Sequence, residues 1–461
     1  MESVLISGGT IITMDGQRRI INDGAVLVQN GRIIQVGKTA AVRDRAEVEI
    51  DARGMVVLPG LIDTHVHLAQ ALLRGCADDT ALIDWLQKFV WPLQGNFNAT
   101  DGKASAELCM LEMIKSGTTT FLESLLHSRY GFDGIAHSLQ DSGMRGVLSK
   151  TVMGLPGYGD EKSIMHPGMI EDAQTCLKEV ESHFKNWNGR ADGRIRVWYG
   201  ARSLGGCTRE LYQQIADGAK KLGTGVTMHL SEVQEDVRYT NKEFGKTPAE
   251  FMDHVGLVGP NVVFAHGVWL TEMEWQILAR KGAHVAHCPS SNMKLSSGIA
   301  KVREMMQCGV NVGIGCDGGP SNNSYDMIRE MKTASLLQKV RTMDPLALSA
   351  ETVLEMATLN GARALGLQDQ IGSIEPGKKA DLIVVNMQKP HLTPAFNPVS
   401  HVVYAAEGSD VETAIIDGRV VMENRVVKSL NEEKVIHDAN ERATKLIQRA
   451  EIGITPNWTM E

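Results

Sequence analysis

Much of what marks a membrane-spanning, secreted or nucleic-acid-binding chain is missing from these 461 residues. No apolar stretch reaches the roughly 18 residues that a bilayer-crossing helix needs. Lys and Arg form no clustered run, and the net charge is −8 with a pI near 6.0. Nucleic acid and anionic membrane surfaces are therefore poor partners for it. The N-terminus carries no basic segment followed by an apolar one and opens directly on the strand-like Val4-Leu5-Ile6-Ser7, so a secretory leader is not expected. Cysteine is sparse: seven residues, an odd number, widely scattered. That is no disulfide framework, and the expected compartment is reducing and cytoplasmic. Repeats and low-complexity segments are absent as well. What is present, 43% apolar and 22% charged residues, is the composition of a soluble globular protein.

The length is too great for one ordinary core. A barrel of roughly 300 residues with a smaller second domain fits it. Both ends of the chain read as β-structure. Asn30-Gly31, set between Val26-Leu27-Val28 and Ile33-Ile34-Gln35-Val36, is a strong hairpin signal. Asp381-Leu382-Ile383-Val384-Val385 and then Ala414-Ile415-Ile416-Asp417-Gly418-Arg419-Val420-Val421 repeat that grammar late in the chain. Between the ends, apolar strands are expected at 55–63, 117–123, 145–151, 194–201, 225–230, 261–265, 283–287 and 311–316. Amphipathic helices, such as 210–221, 272–281 and 326–340, separate them. The pattern predicts an α/β fold, a (β/α)8 TIM barrel over 59–366. The terminal parts 1–58 and 367–461 are expected to form one small β-sandwich domain, with a helix at 432–450. A further helical segment, 81–116, is placed to cap the barrel mouth.

Metal-binding residue types recur at the ends of these strands. His65 and His67 follow the first, His229 ends Gly225-Val226-Thr227-Met228-His229, His266 ends Val262-Val263-Phe264-Ala265-His266, and Asp317 ends Gly313-Ile314-Gly315-Cys316-Asp317. C-terminal strand ends are where barrels of this kind carry chemistry. Two histidines two apart on an extended end point the same way. His65, His67, His229 and Asp317 offer three nitrogens and one carboxylate, a set that suits one Zn²⁺ per subunit and is compatible with Fe²⁺ or Mn²⁺. Such an ion lowers the pKa of bound water to around 7. Glu232, three residues after His229, is placed to carry a proton from water to the substrate without binding the metal. His266 is placed to stabilise the oxyanion, and Asp317 to accept a proton after attack. Cys316 reads as a small buried strand residue rather than a nucleophile.

These residues resemble the amidohydrolase superfamily, in its cytosine deaminase-like branch, over nearly the whole chain. The resemblance runs through Pro59-Gly60-Leu61-Ile62-Asp63-Thr64-His65-Val66-His67, His229-Leu230-Ser231-Glu232, Cys288-Pro289-Ser290-Ser291-Asn292-Met293-Lys294-Leu295 and Gly315-Cys316-Asp317-Gly318. It continues in Met356-Ala357-Thr358-Leu359-Asn360-Gly361-Ala362-Arg363 and in Gly372-Ser373-Ile374-Glu375-Pro376-Gly377-Lys378-Lys379-Ala380-Asp381. It implies one divalent metal on His65, His67, His229 and Asp317, with His266 near it. Superfamily members with two metals often bridge them by a carboxylated Lys on the fourth strand. Here that strand, Arg194-Ile195-Arg196-Val197-Trp198-Tyr199-Gly200, has none.

The resemblance further implies an aminohydrolase that replaces an exocyclic amino group of an aromatic N-heterocycle (purine, pterin, pyrimidine or related) and releases ammonia. The expected partner is that small molecule, and a homo-oligomer is expected by analogy. Gln70, three residues after His67, and Arg202, just after the fourth strand, are similar to the Gln and Arg with which guanine deaminases hold a purine edge. Asn292 and the stretch holding Trp85 look like S-adenosylhomocysteine/5′-methylthioadenosine deaminases. Those carry a His in a Pro-His-Ala-Pro-like segment where this chain has Gly200-Ala201-Arg202-Ser203-Leu204-Gly205. Trp85, Trp91, Trp198 and Trp269 are candidates to stack on a flat ring. Thr247-Pro248-Ala249-Glu250-Phe251-Met252 and Ile454-Thr455-Pro456-Asn457-Trp458 resemble s-triazine hydrolases, which expel chloride or an alkylamine.

Overall fold

The computed structural model describes residues 3–42 and 45–454. Of the triazine-hydrolase-like tail, Thr455 to Trp458 lie outside the described residues. Five strands come first: β1 (Val4–Ile12), β2 (Ile20–Gln29), β3 (Arg32–Lys38), β4 (Val48–Asp51) and β5 (Met55–Pro59). The barrel strands follow: β6 (Leu61–His67), β7 (Thr118–Glu123), β8 (Arg145–Val152), β9 (Ile195–Ala201), β10 (Val226–Leu230), β11 (Val262–His266), β12 (His284–His287) and β13 (Asn311–Ile314). A short β14 (Asp317–Gly318) pairs with β6. The chain then returns to the first sheet with β15 (Leu382–Asn386), β16 (Val411–Ile416), β17 (Arg419–Glu423) and β18 (Val426–Val427).

Strands β6 to β13 pair in parallel in sequence order, and the ring closes where Ile314 of β13 meets Asp63 of β6. Eight parallel strands with helices between them make the TIM barrel. Ile62, Leu122, Val147, Val263 and Ala286 pack with Ala362 and Leu365 in one apolar cluster. The terminal strands form a nine-stranded sheet ordered β18-β17-β16-β15-β5-β1-β2-β3, with β4 on β1. Residues from both ends of the chain share its core, among them Ile6, Val28, Val57, Leu382, Val384 and Ile415. Its hairpins turn where the sequence says. Asn30 and Gly31 have φ of 51° and 76°, and Asp417 and Gly418 have 51° and 75°, as a two-residue turn between twisted strands requires.

The expected strand 55–63 is two strands. Both halves are apolar, so periodicity alone does not divide them. The break falls at Gly60, where any Cβ would stand 2.1 Å from Thr119 Oγ1 and where the backbone N–H donates to Asp381 O (2.9 Å). β5 pairs antiparallel with β15, and β6 pairs parallel with β7. Arg145 at the start of β8 locks the junction, donating from Nε and Nη2 to Asp381 at 2.8 and 3.1 Å. Both side chains are buried, so losing either partner would strand a charge, at about 3–5 kcal/mol.

The terminal helix Glu432–Ala450 lies against the helix Ala99–Lys115. Lys115 Nζ pairs with Glu432 (2.8 Å), and Arg449 pairs with Asp101. The expected 81–116 cap is several pieces: Leu82–Trp85, a π-helical turn Leu86–Val90, Trp91–Gly95, and Ala99–Lys115. Among the described residues no helix is long and apolar enough to cross a membrane.

Candidate active site

The four expected metal ligands come together at the C-terminal strand ends. One donor atom from each of His65, His67, His229 and Asp317 lies within 4.8 Å of all the others. His67 Nε2 stands 3.2 Å from His229 Nε2 and 3.2 Å from Asp317 Oδ1, and His65 Nε2 is 3.5 Å from the same oxygen. His67 Nδ1 faces Ser124 O at 2.7 Å, which puts that ring's proton on Nδ1 and its lone pair toward the cluster. Both nitrogens of His65 and Nδ1 of His229 are buried with no hydrogen-bond partner. Lone pairs that converge without donors between them are what a cation would satisfy, and three nitrogens with one carboxylate fit a divalent metal.

Burial drives the His65 and His229 rings toward their neutral forms, and neighbouring imidazoles push His229 further. Burial also works to raise the Asp317 carboxyl. The close approach of His65 and His67 outweighs it and holds the group well below the usual carboxylate range. Asp317 Oδ2 is fixed from behind by the hydroxyls of Ser291 (2.5 Å) and Ser321 (3.0 Å). Asp63 ties the two ligand-bearing strands together, accepting from the backbone N–H of His65 (3.0 Å) and of Cys316 (3.2 Å). Cys316 is fully buried and its thiol is pushed well up by that burial, which makes it a poor nucleophile.

Strain collects here. Leu125, Ser231, His266 and Asp317 all have positive φ (76°, 53°, 75° and 63°). Such backbone costs on the order of 1–3 kcal/mol per residue and persists where the surroundings over-determine it.

Glu232 follows the strained Ser231. Its backbone N–H donates to Asp236 (3.0 Å), and Ser297 Oγ donates to its Oε1 (3.2 Å). Its Oε2 lies 3.6 Å from His266 Nε2. Burial, with the nearby Asp317 and Asp236 carboxylates, raises its pKa well above the ordinary Glu value, which makes the carboxylate a stronger base toward a proton. Burial takes the His266 ring down to about 3, leaving it neutral.

These groups share a small cavity of about 50 Å³ under the cap. Gln70, Trp85 and Arg202 are on its wall, as the sequence suggested. Asn292 is not. It is buried behind His266, with Nδ2 3.0 Å from His266 Nδ1. Its segment forms a helix, Pro289–Lys294, which presents it to the histidine rather than to the cavity. Of the other tryptophans, Trp91 lines the cavity. Trp198 is buried in the Ile62 cluster, and Trp269 is partly exposed with Nε1 on Ser297 O (2.9 Å).

Sequence reasoning missed Gln94, His127, Tyr130, Tyr158 and Met169 on the same wall. They come from loops and helical turns without a spacing that marks them. Ser291 was legible, since it adjoins Asn292 in a motif already singled out.

The 5′-deoxyadenosine deaminase of Methanosarcina acetivorans is 41% identical over 450 residues, 98% of this chain and 100% of that one. The 5-methylthioadenosine/S-adenosylhomocysteine deaminase of Pelotomaculum thermopropionicum is 41% identical over 97% of this chain and 100% of its own. An adenosine deaminase from Xanthomonas campestris, solved with bound zinc, superposes with a TM-score of 0.89 at 29% identity, covering 96% of this chain and 98% of that one. The amidohydrolase family model matches residues 56–421, and the chain belongs to that family.

Proposed function

We propose that this protein is a zinc-dependent aminohydrolase that replaces an exocyclic amino group on an aromatic N-heterocycle by oxygen and releases ammonia. The observation that carries the proposal is the pairing of Glu232 with His266 Nε2 at 3.6 Å. The pair sits on one cavity with His67, His229 and Asp317. The balance is one water in and one ammonia out: a C–O bond forms at the ring carbon, the C–NH2 bond breaks, and the ring nitrogen keeps a proton.

When bound to His65, His67, His229 and Asp317, a zinc ion supplies water activation at neutral pH. Each further role belongs to a side chain. Glu232, with its raised pKa, takes the proton of the attacking water and delivers it to the ring nitrogen. Neutral His266 turns Nε2 toward the oxygen that gains charge, and Asn292 fixes that tautomer from the other side. Asp317, held ionised, accepts the second proton from the attacking oxygen, and that proton passes to the amino group, which leaves as ammonia. Gln70 and Arg202 hold the heterocycle edge, and Trp85 and Trp91 flank it. Seven free cysteines support a reducing, cytoplasmic setting.

A second reading, a nucleoside deaminase acting on 5′-deoxyadenosine or a thioether analogue, is favoured by the 41% identity to proteins so named. Ammonia release by zinc-loaded protein across guanine, isocytosine, pterin, adenosine, 5′-deoxyadenosine and 5′-methylthioadenosine separates the two. Release from a free base supports the first, release confined to nucleosides supports the second, and silence across the panel overturns both.

A further inference from the structure

The mechanism above leaves a buried charge cluster behind the cavity wall unused. Lys150, fully buried on β8, donates to Glu171 Oε2 (2.8 Å) and to Thr151 O (2.7 Å), and it pairs with Glu179 (3.3 Å). Glu171 Oε1 accepts from the Ser128 backbone N–H (2.6 Å), and Cys176 Sγ lies 3.4 Å from Oε2. The remaining neighbour of Glu171 Oε2 is His127 Nδ1, at 3.7 Å. His127 is 2% exposed, and its ring lies edge-on to Tyr130 with centroids 5.5 Å apart. It also lines the substrate cavity.

Two consequences follow. Burial would raise the Glu171 carboxyl, but His127 and Lys150 hold it well below the usual range, so it remains a carboxylate. Burial keeps the His127 imidazole neutral. At 3.7 Å the contact is longer than a hydrogen bond, and Nδ1 has no hydrogen-bond partner; the carboxylate acts through its field, which favours the tautomer with its proton on Nδ1 and a lone pair on Nε2. No described residue donates to that nitrogen.

Beside it stands a donor in the same condition. Arg202 is 6% exposed and on the cavity wall. Its guanidinium packs on the Trp91 ring at 5.8 Å and forms no ion pair or hydrogen bond with any described residue. Its Nε is buried and unpartnered. Tyr158 OH, also on the wall, is buried without a partner too. A buried cation with nothing to pair it is costly, and a neutral sugar hydroxyl compensates it poorly. A carbonyl oxygen with high charge density compensates it well.

We propose that His127, polarised through Glu171 and Lys150, is a specificity-determining acceptor that works with Arg202 to read the adjacent N–H and C=O of a ring lactam. The substrate class is then an oxo-bearing aminoheterocycle rather than a nucleoside, an assignment that rests on the deaminase reading for the amino group. Arg202, directly after β9, supplies the donor half of the pair.

The test is binding, read by tryptophan fluorescence, to the zinc-loaded Glu232→Gln protein, whose slowed turnover leaves the ligand intact during the measurement. The probes are guanine, isocytosine and pterin, each with its lactam-N-methylated counterpart, and adenosine. At least one lactam should bind tenfold or more tighter than its N-methyl form and tighter than adenosine. His127→Phe should collapse that ratio toward one, and His127→Gln, which restores an acceptor, should recover part of it. A purely structural role for His127 would move all ligands together. Equal binding of every N-methyl pair, a ratio that survives His127→Phe, or adenosine as the preferred ligand would overturn the proposal. Ammonia release by the unsubstituted enzyme is scored separately, so failure of deamination is distinguishable from failure of lactam reading.

Discussion

Asn292 Nδ2 stands 3.0 Å from His266 Nδ1, while His266 Nε2 looks across 3.6 Å to Glu232. An amide nitrogen can only donate. Nδ1 must therefore accept, and the ring's proton is left on Nε2, where it faces Glu232 and the cavity. Asn292 sets the polarity of a histidine it does not share with solvent.

Replacing Asn292 by Asp reverses that polarity, since a carboxylate accepts from Nδ1–H. The expected result is a fall in kcat of about a hundredfold, the usual size for losing one oxyanion donor. KM should stay within a few-fold and bound metal should be retained. Unchanged kcat would remove Asn292 from the catalytic arrangement.

Arg202→Ala should lower kcat/KM for a carbonyl-bearing substrate by roughly ten- to a hundredfold, the effect of about 1–3 kcal/mol per hydrogen bond to a charged group. Steady-state kinetics reads this directly, and an unaltered kcat/KM would take the guanidinium out of recognition.

Glu171 gives a pH signature. Its folded pKa is lowered, so its pairing contributes stability above the ordinary Glu value of about 4.5 and loses it as pH falls through the lowered folded value. Glu171→Gln should therefore lower Tm at pH 7, by an amount equivalent to about 3 kcal/mol for breaking a buried pair. The gap to the parent should narrow as pH drops below 4.5. A gap independent of pH would contradict the buried carboxylate.

Removing the metal with a chelator should abolish turnover and lower Tm, because a ligand that binds only the folded state stabilises it by mass action. Readdition of zinc should restore both. A chelated protein with full activity would exclude the four-residue centre.

Much of this was legible in the chain because barrel chemistry sits at strand ends. His65, His67, His229, His266 and Asp317 each close an apolar run, and one shared site follows from that repetition. Glu232 was legible by its spacing from His229. The division of 55–63 at Gly60 was not, because β5 and β6 are equally apolar and only their partners differ. Asn292 was legible as important but not in its role, since a motif does not say which way a helix faces. His127 and Lys150 were invisible. They come from different elements, Lys150 from β8 and His127 from the loop after β7, and nothing in their local sequence announces a shared carboxylate at residue 171.

The most direct test of the account is Glu232→Gln in zinc-loaded protein, with metal content and ammonia release measured on the same sample against the best substrate of the panel. The account predicts full metal occupancy and a fall in kcat of about a hundredfold to ten-thousandfold, the range for loss of a positioned acid–base group. Full occupancy with kcat intact would contradict it, because water would then be losing its proton without Glu232.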